Sequence, residues 1–139
     1  MKVTELMLGD YVTFADCQND KYPSIVKIWQ INEAGEAFVS IDGDEALEGI
    51  AIDDEIVGIP ITPEILKKNG FGYIENDGME LSHYYLGNTN SCRLGLHIGT
   101  NNKGDYWVNT NYNDIYGLKY VHELQHAFRI FKLEKKIVL

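Results

Sequence analysis

Ile59-Pro60-Ile61-Thr62-Pro63-Glu64-Ile65-Leu66-Lys67-Lys68-Asn69-Gly70-Phe71 is where this chain changes grammar. Thr62 is a good N-cap and Pro63 sits at the first helical position, where a missing N–H costs nothing. Lys67 and Lys68 stand in the last turn, where the carbonyl ends favour cations, and Asn69-Gly70 is a stop signal. A short helix over Pro63 to Lys68 therefore marks a joint. It separates residues 1–60 from residues 61–139, two halves that either fold separately or share one core.

Upstream of the joint the patterning is β. Tyr11 to Phe14 is a short strand after a Gly9-Asp10 turn. Ser24 to Ile31 alternates, with Ile25, Lys27, Trp29 and Ile31 on one side and Val26, Ile28 and Gln30 on the other. Ala34-Gly35 and Asp42-Gly43 are turn signals around a return strand, Ala37 to Ile41. Ile50 to Ile52 and Glu55 to Ile59 read as two further short strands. Short strands with turns every ~8–12 residues predict a small SH3-like β-barrel or a bent sheet.

Downstream, Phe71 to Glu75, Glu80 to Leu86, Cys92 to Ile98 and Tyr106 to Asn109 read as strands joined by polar Asn/Gly loops. Leu118 to Lys132 lacks Gly and Pro and carries apolar residues at helical spacing. Lys135 to Leu139 reads as a last edge strand. The fold class expected is α+β, with an antiparallel sheet packed under a long C-terminal helix.

Charge is divided by the same joint. The net charge is −9; residues 1–60 hold thirteen acids and three bases, and residues 61–139 hold eight acids and nine bases. The acidic half disfavours nucleic acid as a partner, since phosphate recognition needs Lys and Arg. A basic protein partner suits it better, and mimicry of a nucleic-acid surface is one form such binding could take. Asp42-Gly43-Asp44-Glu45 clusters oxygens but lacks the spacing of a calcium loop, and reads as a charged turn. Cys17 and Cys92 are two thiols far apart in sequence, expected reduced. No apolar run reaches the ~20 residues of a membrane span, and the N-terminus lacks a signal-peptide layout. A cytoplasmic protein is expected. Nine tyrosines and two tryptophans are generous for 139 residues and gather downstream. They suit a contact surface, or half-buried strand positions with a wet hydroxyl.

One segment names a chemistry. His122-Glu123-Leu124-Gln125-His126 spells HExxH, in which two histidines four apart hold zinc and the glutamate activates a bound water. Three points weigh against it. On a helical wheel Val121, Leu124, Phe128 and Phe131 define the core arc, which turns His122 and His126 toward solvent beside Arg129. Lys132 stands where the HExxHxxGxxH pattern needs its last histidine. Glu134 is the only downstream carboxylate, which leaves little room for a glutamate ligand on a second helix; a remote ligand could still come from His83, His97, Asp105 or Asp114, though nothing in their spacing points to it.

Glu5-Leu6-Met7-Leu8-Gly9-Asp10-Tyr11-Val12, the joint Ile59 to Phe71, and Tyr120-Val121-His122-Glu123-Leu124-Gln125-His126 together resemble a family of small uncharacterised Bacteroidetes proteins. Members often lie in prophage or mobile-element settings. The resemblance implies no activity, no cofactor and no catalytic residue. It implies that His122 to Gln125 is a structural helix signature, because the position matching His126 is often not histidine there.

The function expected is a non-enzymatic accessory or protein-interaction module without cofactor or metal. The alternative is a zinc-dependent hydrolase, with His122 and His126 as ligands and Glu123 as base.

Overall fold

The computed structural model describes residues 2–15, 25–41, 44–51, 55–75, 81–87, 96–101, 103–110, 113–133 and 135–139. Cys17, Cys92, Glu134 and the Asp42-Gly43 and Asn76-Asp77-Gly78 turns lie outside them. The side chains of Asp44, Glu45 and Asp114 are likewise not described. The chain forms two compact units, Met1–Ile59 and Pro60–Leu139.

The first unit is one antiparallel sheet. Its strands are β1 (Tyr11–Phe14), β2 (Val26–Ile31), β3 (Ala37–Ile41), β4 (Asp44–Ala51) and β5 (Ile56–Gly58), in the order β4-β3-β2-β1-β5. The core is aliphatic: Val12, Val26, Ile28, Val39 and Ile56 are buried, together with Val3 from an N-terminal 3-10 turn. Alternation along β2 breaks at a bulge against β3, between Ile28 and Gln30. The extra residue resets the phase, so Gln30 is exposed while Ile31 packs on the core. Asp10 is buried and its carboxylate accepts the Met7 N–H at 2.7 Å, tightening the turn that feeds β1.

The expected SH3-like barrel does not close. β4 and β5 stand at opposite edges and no hydrogen bonds join them. Closure needs strand tilt and a register stagger that brings the two edges together, and β5, three residues long, pairs only with β1.

The second unit is α+β. Thr62 Oγ1 caps α1 (Pro63–Lys68) by accepting the Ile65 N–H at 3.3 Å. The helix ends in a Schellman motif, with Gly70 left-handed at φ 82°, Gly70 N bonded to Lys67 O and Phe71 N to Leu66 O. Five strands follow: β6 (Gly72–Ile74), β7 (Leu81–Leu86), β8 (Leu96–Asn101), β9 (Tyr106–Thr110) and β10 (Asn113–Leu118), paired as an antiparallel meander. β10 is an addition to the expected four strands. It claims Leu118, which pairs with Tyr106, so α2 begins later than its apolar spacing suggests and spans Val121–Ile130.

One sheet face carries the core. Leu96, Ile98, Val108 and Leu118 are buried there, and Glu64 of α1 acts electrostatically on Tyr84 and Tyr106 of the same face. Phe71 stacks on Phe128 of α2 at 6.1 Å. α2 closes with a second Schellman motif, Leu133 N to Phe128 O and Lys132 N to Arg129 O, with Lys132 itself left-handed at φ 53°.

Lys135 to Leu139 is not a strand. The buried Asn69 takes over its backbone pairing: Val138 N donates to Asn69 Oδ1, and Asn69 Nδ2 donates to Val138 O, both at 2.8 Å. Among the described residues, no helix is long and apolar enough to cross a membrane.

Candidate functional site

The HExxH segment opens α2, and its glutamate is already occupied. Tyr120 is the N-cap, in extended conformation, and Glu123 is the third helical residue. Glu123 Oε2 accepts the Tyr120 N–H at 2.9 Å and the Lys119 N–H at 2.5 Å. This is the reciprocal half of a capping box: a carboxylate folds back onto backbone donors that the helix leaves unsatisfied. The positive end of the helix dipole favours the same placement.

The histidines do not stand as their helical positions suggest. His122 is 3 % exposed and therefore buried, which corrects the expectation that it faces solvent. The reason is the width of the buried arc. Val121, His122, Leu124, Gln125, Ala127 and Phe128 are all buried, an arc of roughly 220° rather than the narrow stripe that the aliphatic and aromatic residues alone define. The ring of His122 stacks on Tyr120, 15° from parallel at 5.7 Å, and meets His126 edge-on at 5.7 Å. Lys119 Nζ sits 5.0 Å above the opposite partner of that stack, the Tyr120 ring. A side-chain hydrogen bond to Tyr120 raises the pKa of Lys119 above its usual value. His126 is half-buried, and Arg129 is exposed.

Among the described residues, no three of His, Cys, Asp and Glu converge as a metal group. Asp105 is held in the β8–β9 turn, where its carboxylate accepts Asn101 Nδ2 at 2.8 Å. Asp114 belongs to β10, in register with Asn109. His83 and His97 meet each other instead, on β7 and β8, with ring centroids 5.8 Å apart.

The aromatic residues sort by sheet face. Tyr84 and Tyr106 belong to the core face, where burial raises both phenol pKa values. Tyr85 and Trp107 lie on the other face, each flattened over a glycine of the neighbouring strand. A Cβ at Gly72 would stand 2.3 Å from Tyr85 Cζ, and one at Gly99 would stand 2.4 Å from Trp107 Nε1. The glycines give these rings their seats. An open groove of about 570 Å³ runs past Pro60, Ile61, Tyr106, Leu118 and Lys119.

Sequence reasoning missed Tyr120 as a cap, because tyrosine has no short side-chain acceptor. Asn69 was read only as a helix stop, although its amide also binds a segment nearly seventy positions away. Glu123 three residues after Tyr120 was the available signal for the first. No family model matches the chain, and no curated protein or solved structure is significantly similar to it.

Proposed function

We propose that this protein is a non-enzymatic accessory or protein-interaction module acting in the cytoplasm, and that it belongs with the small Bacteroidetes mobile-element proteins it resembles. The observation that carries the reading is the engagement of Glu123. A general base must present its carboxylate to a metal-bound water, whereas this one holds the Lys119 and Tyr120 N–H groups. His122 is packed into the unit as a core residue is.

What the chain leaves at its surface suits contact with another protein. Met7 and Leu8 are adjacent in the first unit, 49 % and 60 % exposed, and Ile130 on the second is 67 % exposed. The acidic excess of residues 1–60 favours a basic partner and speeds its encounter. The zinc-hydrolase reading retains one supporting observation, the 5.7 Å separation of the His122 and His126 rings.

The test is affinity purification from the native host at low and high salt, with Leu8→Asp and Ile130→Asp as variants. A basic partner that co-purifies at low salt, weakens at high salt and is lost in one variant supports the proposal. A chain that runs alone at every salt concentration, or a partner indifferent to both variants, sinks it.

A further inference from the structure

The face of the second sheet opposite the core carries a histidine pair that neither the helix chemistry nor the core uses. His97 is on β8 and His83 on β7. The register places His83 directly across from Gly99, two positions along from His97, so the two rings are diagonal neighbours on one face. Gly99 has no side chain to come between them, and Trp107 closes the far side by lying over it.

Two independent observations point to a ligand. The first is geometric. A metal–imidazole bond is ~2.0–2.1 Å and the nitrogen lies about 1.1 Å from its ring centre, so two rings on one tetrahedral metal have centres ~5–6 Å apart. The His83–His97 separation is 5.8 Å. The second is a missing partner. His97 is 7 % exposed, and among the described residues its buried Nε2 finds no hydrogen-bond partner. A buried polar atom left in that state calls for a water, an ion or a ligand.

We propose that His83 and His97 form a two-histidine site for a divalent transition metal that prefers imidazole, with zinc as the test ion. Among the described residues no third His, Cys, Asp or Glu joins them, so the remaining positions are open to water or to a donor from a partner. Such an open pair binds more weakly than a four-ligand structural site. The site is distinct from HExxH, where His122 stacks on Tyr120 and meets His126 edge-on.

The full chain, stripped by chelator, would be titrated with zinc against a chromophoric competitor, beside His83→Gln, His97→Gln and His126→Gln. One zinc per chain, weakened at least tenfold by either sheet variant and unchanged by His126→Gln, is the expected result. No uptake at 100 μM zinc overturns the proposal, as does uptake that only His126→Gln removes. If buried His97→Gln does not fold, the half-buried His83→Gln and the histidine ring NMR signals of the parent decide. Zinc must move the His83 and His97 resonances, and movement confined to His122 and His126 contradicts the assignment.

Discussion

Replacing Glu123 should cost stability in a way that separates a cap from a catalyst. Glu123→Ala removes the acceptor for two backbone donors, Lys119 N and Tyr120 N. Loss of an N-terminal cap costs about 0.5–2 kcal/mol. Loss of a negative charge in the first turn adds about 0.3–1 kcal/mol. The half-buried position and the exposed Lys119 N–H keep the total toward the lower part of that sum, about 0.8–2 kcal/mol. In a unit of this size that corresponds to a Tm lowered by roughly 5–15 °C. Glu123→Gln keeps an oxygen acceptor and loses only the charge, so it should lose about 0.3–1 kcal/mol. Urea unfolding followed by far-UV circular dichroism measures both, and hydrogen exchange at the first turn of α2 locates the effect. Glu123→Ala unfolding within 0.3 kcal/mol of the parent, with an unchanged m-value, would refute the capping argument.

Three further outcomes follow from the second unit. Asn69→Ala deletes the hydrogen bonds that Asn69 Nδ2 donates to Ile65 O and Val138 O and the one that Asn69 Oδ1 accepts from the Val138 N–H, and should cost about 1.5–4 kcal/mol, with the Val138 amide losing its exchange protection. Lys132→Gly relieves a left-handed lysine at the end of α2 and should stabilise by about 0.5–1 kcal/mol in thermal unfolding; a destabilised variant would show that the lysine side chain contributes more than the strain removes. Tyr84 and Tyr106 have folded pKa values raised above 10.0, chiefly by burial, so the unfolded chain releases those protons first as pH rises. The stability they contribute is present below pH 10 and is lost as pH climbs through the folded values. A phenolate absorbance titration of the folded chain should show two phenols ionising above the ordinary tyrosine value.

α1 was legible in the sequence because each of its signals is local: Thr62 caps, Pro63 starts and Gly70 supplies the positive φ. The strands of the first unit were legible from alternation, with β1 and β3 falling where their apolar residues stand. Barrel closure was not legible, since strand count and turn spacing are the same for an open sheet. β10 was hidden because Asn113 to Leu118 lacks a run of β-branched residues, and its last residue continues the apolar spacing of α2. The burial of His122 was hidden for a related reason: a wheel that counts only aliphatic and aromatic residues draws the core arc too narrow. The C-terminal segment looks like a strand, and only the fold reveals that a side chain, Asn69, takes the place of the neighbouring strand. The grouping of His83 with His97 across β7 and β8 is tertiary, and nothing in their sequence spacing points to it.

The central claim is that His122 and Glu123 serve the fold rather than a reaction. Its most direct test is peptide hydrolysis by the parent and Glu123→Gln, each loaded with zinc and checked for folding. The account predicts background cleavage in both, with only stability differing between them. Zinc-dependent cleavage by the parent that disappears in a folded Glu123→Gln would contradict it and restore the hydrolase reading.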